Sequence, residues 1–477
     1  MIKFPLTCLL VHSCFSVFSQ DILTLEAAIE TGLANNYGIN ISRNERRIAD
    51  NNLSPGNAGM LPRLDVSGAY AHSLTSAKVE VVSGGTLDDN TANTDLLTAG
   101  VNLNWTLFDG LKMFITYDKL KKLKDIGDLE LKISIENTLA KIIAAYYDII
   151  RQGKQRDIIG EQVEISRFRL DLAKMEYETG SGSELEYIKA KVELNADIAA
   201  LSSQETACLN ALATLNDLMA RDVRIPFRVQ DTIPLLARMN YDSLRAGMLE
   251  GNRNLLALAR NIEVTALDVR SAGASQWPVL DLTAGFEYYR NNTEASFIRY
   301  NRNFGPVIGV SAAMNIFNGL NLQREKQNAI ITQSTSSLEK MRIENKLDAY
   351  LLKIYNDYDN QLEMVDFERE NIALAQKNME IARESYRVGA ISSLELREIQ
   401  KDLLDAGTRL VAAEFRAKTV ALLLDVSYRV FDIRIQKIKR AKSLQSLSDE
   451  IGIHRLFKWF DVFKLIEKGH HHNFRYG

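Results

Sequence analysis

The chain has 477 residues and nearly balanced charge, 58 Lys and Arg against 61 Asp and Glu. That balance leaves no global basic field to attract nucleic acid. Length alone suggests about three domains, and the 46% hydrophobic content is that of an ordinary folded protein.

The first segment, residues 1–19, reads as a cleaved secretory signal. Lys3 supplies a positive start, Phe4 to Phe18 is mostly apolar, and Val17 and Ser19 are small enough for a cleavage site before Gln20. A lipidated Cys14 and a buried N-terminal strand are the weaker readings. Cys8 and Cys14 leave with the signal, so Cys208 alone remains and no intrachain disulfide can form. No later run of 18 apolar residues offers a transmembrane helix.

Residues 24–54 form the first predicted helix. Leu64, Val66, Gly68 and Tyr70 alternate as a weak strand, followed by a polar stretch at 75–95 with Ser83-Gly84-Gly85 and Asp88-Asp89-Asn90. Leu97, Ala99, Val101, Leu103, Trp105 and Leu107 then alternate clearly. Residues 112–179 contain no proline and carry an apolar stripe at Leu139, Ile142, Ile143, Tyr146, Ile149 and Ile150, so a single long helix is expected. Gly180-Ser181-Gly182-Ser183 reverses the chain into a helix over 184–220. The segment 221–239, with Pro226 and Pro234, interrupts it before a helix over 240–272.

The same order then returns. Strands fall at 280–288 and 308–316, separated by a polar stretch at 291–303 with Asn291-Asn292-Thr293 and Asn301-Arg302-Asn303. A proline-free helix over 320–388 shows heptad-like spacing at Leu347, Leu351, Ile354, Tyr358, Leu362 and Val365, and a last helix covers 393–430. Leu61-Pro62-Arg63-Leu64-Asp65 recurs 216 residues later as Trp277-Pro278-Val279-Leu280-Asp281. Phe108-Asp109-Gly110 and Tyr177-Glu178-Thr179-Gly180 recur 209 residues later as Phe317-Asn318-Gly319 and Tyr386-Arg387-Val388-Gly389. The chain is therefore divided into a signal at 1–19, a first repeat at 20–232, a second at 233–430 and a divergent basic tail at 431–477.

Each long helix would span roughly 100 Å at about 1.5 Å per residue. The expected fold class is mainly α with a membrane β-barrel part: a rod of coiled helices with four strands at one end. Ten-residue alternation fits strands with one face to lipid and one to water, although soluble sandwich strands alternate too. Four strands cannot close a barrel, and an open edge in lipid leaves backbone groups unsatisfied. Copies must therefore associate; a trimer gives twelve strands, and the arithmetic also admits a dimer or tetramer. The polar stretches at 75–95 and 291–303 are expected at the cell exterior. Trp105, Phe108, Tyr288 and Phe317 are expected at the membrane interfaces.

The ordered set resembles the TolC-type outer-membrane efflux proteins. The resemblance is carried by Leu23-Thr24-Leu25-Glu26-Ala27-Ala28-Ile29 with Leu33-Ala34-Asn35-Asn36, by Leu61-Pro62, by Phe108-Asp109-Gly110 and by the two Tyr-x-x-Gly reversals, and runs to about Leu424. It implies a homotrimeric 12-stranded barrel continued by a periplasmic helical tunnel. It implies an exit duct for a tripartite efflux pump or a type I secretion system, with a periplasmic adaptor and an inner-membrane transporter of RND or ABC type as partners. The aperture and adaptor-docking tips would then comprise Tyr177, Glu178, Gly180, Gly182, Tyr386, Arg387 and Gly389. Some members hold the mouth shut with an arginine shortly after the second reversal glycine. Here that residue is Ile391, so a charged latch would use groups such as Arg387 or Glu178. The family's Leu-x-x-Leu-x-Gly ending is missing: Leu424 is followed by Asp425-Val426-Ser427-Tyr428.

The tail holds Ile453, Leu456, Phe457, Phe460 and Phe463 at helical spacing among Arg455, Lys458 and Lys464. It reads as an amphipathic helix on a membrane or on the tunnel, or as a packing helix or loose end. His72, His454 and His470 to His472 form no ligand set with Cys or carboxylates, so no metal site is expected. No phosphate loop or nucleophile elbow is present, so no cofactor and no enzymatic activity are expected. Glu176 and Glu178 read as a solvated face. The alternative function is a periplasmic coiled-coil scaffold or adaptor whose strands form a soluble cap. Which substrate passes is not written in the residues.

Overall fold

The computed structural model describes residues 22–428 except 81, 83 and 236. The signal segment with Cys8 and Cys14, and the 431–477 tail with its amphipathic pattern, His454 and the His470 to His472 run, lie outside the described residues. The elements in order are β1 (Ile22–Leu23), α1 (Leu25–Asn35), α2 (Tyr37–Asn52), β2 (Arg63–Glu80), β3 (Thr86–Phe108), α3 (Lys112–Glu178), α4 (Glu184–Leu218), β4 (Arg228–Val229), α5 (Tyr241–Gly251), α6 (Arg253–Ala274), β5 (Val279–Thr293), β6 (Tyr300–Ala313), α7 (Asn321–Arg387) and α8 (Ser393–Tyr428).

The two long helices are each unbroken over 67 residues. Both start from the same backbone device. Gly110 and Leu111 have φ of 72° and 71°, and Gly319 and Leu320 have 68° and 65°. Two successive left-handed residues turn the strand exit into the helix axis, and the Leu111 carbonyl then accepts from Phe114 and Ile115. A left-handed leucine costs about 1–2 kcal/mol, so the turn is held by its surroundings.

The helices expected over 24–54 and 240–272 are each two helices. Asn36 ends α1 with ψ of 126°, and its Nδ2 donates to the Leu218 carbonyl at 2.9 Å. Asn252 separates α5 from α6, its Oδ1 accepting from Asn254 and Leu255 N–H groups at 3.0 and 3.3 Å. An asparagine side chain that satisfies a new helix start competes with continuing the old helix. The two breaks lie 216 residues apart, as do Leu61 and Trp277.

The chain forms two compact units. One comprises the described residues within Met1–Tyr37, Ile135–Met248 and Tyr350–Gly477. Its core gathers Ala28 and Ile29 of α1, Leu139, Ile142, Tyr146 and Ile150 of α3, Leu215 of α4 and Leu422 of α8. All six residues of the α3 stripe are buried. Tyr146 donates its hydroxyl to the Leu23 carbonyl at 3.0 Å, beneath the parallel β1–β4 pair, which sequence alternation is too short to reveal. The 221–239 segment straps across α7 and α8. Lys418 Nζ donates to the Pro234 carbonyl at 2.9 Å, and Arg238 meets Asp359 and Glu363, each at 3.1 Å.

The other unit comprises Gly38–Ser134 and Leu249–Ala349. It holds an antiparallel sheet of order β2-β3-β5-β6, so the two hairpins join through β3 and β5 and leave β2 and β6 as edges. Register puts Val66, Val101, Phe286 and Pro306 in one row and Leu64, Leu103, Ala284 and Ile308 in another on the same face. That face is bare: Val66, Ile308 and Val310 are 81%, 78% and 70% exposed. The opposite face carries Asp65, Asn102, Thr283 and Glu287. An apolar face of this extent must be covered by something outside the described residues.

The polar stretches at 75–95 and 291–303 are not loops through their length. The β2–β3 ladder continues to Glu80 and Thr86 past an irregularity between Thr75 and Ala77, taking in Asp88 and Asp89. Asn291 pairs with Asn301 and Asn292 with Tyr300. Backbone pairing needs no apolar side chain, so a ladder can outrun the alternation that signals it. Conversely β6 stops at Ala313, short of Met314 and Ile316.

Candidate functional site

Two features can carry function, and each lies within one unit. The first is the pair of helix reversals. At α3–α4, Gly180 has φ of 76°, and the Glu176 carbonyl accepts from Ser181 and Gly182 at 2.9 and 2.8 Å. A Cβ on Gly182 would stand 2.7 Å from Glu176 Cβ, so glycine is required there. Tyr177 stacks on Tyr187 across the turn with centroids 5.8 Å apart and an interplanar angle of 1°. At α7–α8, Gly389 has φ of 77°, and Ala390 N donates to the Ser385 carbonyl at 2.8 Å.

Each reversal is followed by a serine cap. Ser183 Oγ accepts from Glu186 N at 3.2 Å. Ser392 and Glu395 form a reciprocal capping box, with Ser392 N to Glu395 Oε2 at 2.8 Å and Glu395 N to Ser392 Oγ at 3.2 Å. The backbone N–H from Ser392 holds the Glu395 carboxyl below its usual range.

The expected charged latch groups do not cross between helices. Arg387 pairs with Glu384 of its own helix at 2.6 Å, and Glu178 meets Lys174 of its own at 3.8 Å; all four are well exposed. Ile391 instead joins Tyr386, Ile399 and Leu403 around Ile165, Met379, Ala382 and Leu396, tying α3 to both α7 and α8. Burial pushes the Tyr386 phenol up, and nearby Glu176 adds to the shift.

Behind this apolar patch lies a polar network that the sequence reading missed. Arg397 on α8 grips Asp197 on α4 with Nη1 to Oδ2 at 3.0 Å and Nη2 to Oδ1 at 3.2 Å. Ser166 on α3 donates to the same carboxylate, and Gln400 Nε2 donates to Ser166 Oγ at 3.0 Å. Arg169, only 4% exposed at its side chain, meets Glu193 at 2.7 Å and reaches Ser393 Oγ at 3.2 Å. The signal was available: Gln162, Ser166, Arg169 and Ala173 are spaced four, three and four, so polar side chains sit on a buried helical stripe.

The second feature is the sheet. Trp105 lies on its apolar face, and its indole Nε1 donates to the Met60 carbonyl at 3.0 Å. Phe108 pairs with Leu280 at the base of the sheet after a register shift at Thr106. Tyr288 pairs with Phe304 nine residues along β5 from Val279, which pairs with Ala313 at the helix side, while Phe317 lies beyond β6 and is 77% exposed. Among the described residues, no group of three His, Cys, Asp or Glu side chains is placed to hold a metal ion. Among them, too, no helix is long and apolar enough to cross a membrane.

The family model for outer membrane efflux proteins matches residues 28–221 and 244–424, most of the chain and both halves of it. The chain belongs to the outer membrane efflux protein family. It is similar to the outer membrane efflux protein BepC of Brucella suis biovar 1, 25% identical over 405 residues that cover 82% of each chain. Its fold is that of the Campylobacter jejuni CmeC outer membrane channel, with a TM-score of 0.70, 14% identity and 85% of each chain covered. VceC of Vibrio cholerae gives a TM-score of 0.68 at 16% identity, covering 85% of this chain and 95% of that one. This efflux protein is thus an exit duct of the outer membrane that extends into the periplasm. The scaffold alternative, a soluble cap on a coiled coil, is not favoured.

Proposed function

We propose that three copies of this chain close one 12-stranded barrel, each giving its four strands, and that the pore so formed is a passive conduit. The observation that carries this is the sheet itself: an apolar face that the described residues leave bare, with β2 and β6 as its edges. Backbone groups on such edges need partners in hydrocarbon, and identical copies supply them. The two repeats, 20–232 and 233–430, then stand as quasi-equivalent halves of each protomer's wall. We read the reversals at Tyr177, Glu178, Gly180 and Gly182 and at Tyr386, Arg387 and Gly389 as the periplasmic aperture, where an adaptor docks. An inner-membrane transporter of RND or ABC type would supply the energy, in a tripartite pump or a type I secretion system. Trp105, Phe108, Tyr288 and Phe317 are assigned to the membrane interfaces. The test is the mass of the detergent-solubilised protein with the detergent subtracted, together with disulfide trapping between cysteines placed on β2 and β6. Three-chain mass with intermolecular trapping is expected. A monomer whose β2 and β6 never crosslink would overturn the proposal.

A further inference from the structure

The apolar face of the sheet ends in an arrangement that packing does not explain. Arg290 on β5 and Arg302 on β6 are direct cross-strand partners. Their row continues through Leu97 to Tyr70. Both arginines share the parity of Phe286, Tyr288, Phe304 and Ile308, so they belong to the apolar face. Like charges directly opposite one another in a sheet are destabilising. Among the described residues, neither guanidinium makes an ion pair or a side-chain hydrogen bond. The acid of the next row, Asp95, feels the Arg290 charge without bonding to it; its carboxylate is engaged by the Tyr70 hydroxyl at 2.7 Å and His72 Nδ1 at 2.8 Å.

The height of the pair is informative. Arg290 lies ten residues along β5 from Leu280, the partner of Phe108 at the helix end of the sheet. At about 3.4 Å per residue and a strand tilt of about 40°, that is roughly 25 Å, the height of an outer-membrane apolar band. The aromatic pair Tyr288–Phe304 lies one row below, on the hydrocarbon side. The arginines therefore stand where hydrocarbon gives way to headgroups. They stand at the hairpin end, away from the periplasmic helices and so in the outer leaflet.

We propose that Arg290 and Arg302 together bind a phosphate of an outer-leaflet phosphorylated glycolipid, whose acyl chains lie along the apolar rows beneath. A phosphate monoester carries close to two negative charges near pH 7 and offers acceptor oxygens that guanidinium forks match. One such group cancels both arginines and removes the like-charge cost. Tyr70, on the same row, flanks the glycolipid headgroup. This rests on the duct reading, because it requires that the apolar face meets lipid and that the hairpins point outward.

The experiment uses full-length protein in mixed detergent micelles, titrated with bisphosphorylated lipid A or with its dephosphorylated form. Wild type is expected to bind the phosphorylated lipid roughly tenfold more tightly than the other, and Arg290→Gln/Arg302→Gln to lose that preference. The single variants Arg290→Gln and Arg302→Gln should each lose part of it, which covers the case of a double variant that does not fold. Equal binding of the two lipids by wild type, an unchanged preference in the glutamine variants, or displacement of the lipid by inorganic phosphate alone would overturn the proposal. Outer-membrane fractionation and oligomer mass are followed on the same samples. Their loss in wild type would sink the duct reading, whereas unchanged lipid preference with both intact sinks the arginine site only.

Discussion

Arg397 and Asp197 are joined by two parallel hydrogen bonds that tie α8 to α4 across the helical unit. The carboxylate is 11% exposed and the guanidinium 26%. Removing one partner strands the other charge in a poorly solvated place, which costs about 3–5 kcal/mol for a fully buried pair and less here because Arg397 keeps some solvent. Replacing both charges with apolar groups of similar size is often neutral. Thermal melting of Asp197→Leu, Arg397→Met and the double variant should therefore show two destabilised singles and a double close to wild type. A double variant as unstable as the sum of the singles would show that the pair is not coupled.

Gly110 and Gly180 have nearly the same φ, 72° and 76°, but different neighbours. A Cβ on Gly110 would stand 2.4 Å from the Ala274 carbonyl oxygen, while one on Gly180 would meet nothing within 4 Å. Gly180→Ala should cost only the backbone term, about 1–2 kcal/mol. Gly110→Ala should cost more, since backbone itself must move. The yield of folded protein and the melting temperature should drop clearly further for Gly110→Ala. Equal losses would mean that the close approach at Ala274 relaxes freely.

Much of this architecture is legible in the residues themselves. Proline-free runs gave α3 and α7 to within a residue or two, because nothing in a helix interior competes when proline and glycine clusters are absent. Alternation found the helix-side portions of β2, β3, β5 and β6, overrunning β6 at Met314 and Ile316, but not their outer ends. There, residues such as Asp89 and Asn292 pair through backbone alone. The breaks at Asn36 and Asn252 were hidden because a single side chain decides them. At the candidate aperture, glycines marked the turns. The groups that join the helices, Arg169, Asp197, Arg397 and Gln400, come from three different segments, and only folding brings them together. Ile391 reads as a gap in a charged motif and acts as an apolar contact.

Acid should loosen the sheet-bearing unit. The Lys124 ammonium holds the Asp50 carboxyl below its usual value of 3.8, and Lys122 holds Glu263 below 4.5. A carboxyl with a depressed folded pKa contributes stability that is present above the unfolded value and is lost as pH falls through the folded one. These pairs are largely solvated, so each contributes at most about 1 kcal/mol. Melting temperature should be flat above about pH 5 and fall below about pH 4. Asp50→Asn/Glu263→Gln should melt lower than wild type at pH 6 but lose less between pH 6 and pH 3. An identical acid loss in both proteins would assign it to other carboxyls.

Three neighbouring side chains at the proposed aperture stand in different surroundings. Arg387 is 62% exposed and, among the described residues, bonds to Glu384 of its own helix and not across the reversal. Tyr386 and Ile391 pack on Ile165, Met379 and Leu396, which belong to three helices. Truncating a partly buried isoleucine or tyrosine removes part of the roughly 2–5 kcal/mol that full core truncation costs. If these contacts hold the mouth closed, Tyr386→Ala and Ile391→Ala should raise single-channel conductance in planar bilayers, and Arg387→Ala should leave it near wild type. The reverse pattern, a conductance rise with Arg387→Ala alone, would make the closure electrostatic and exclude the apolar patch as its cause.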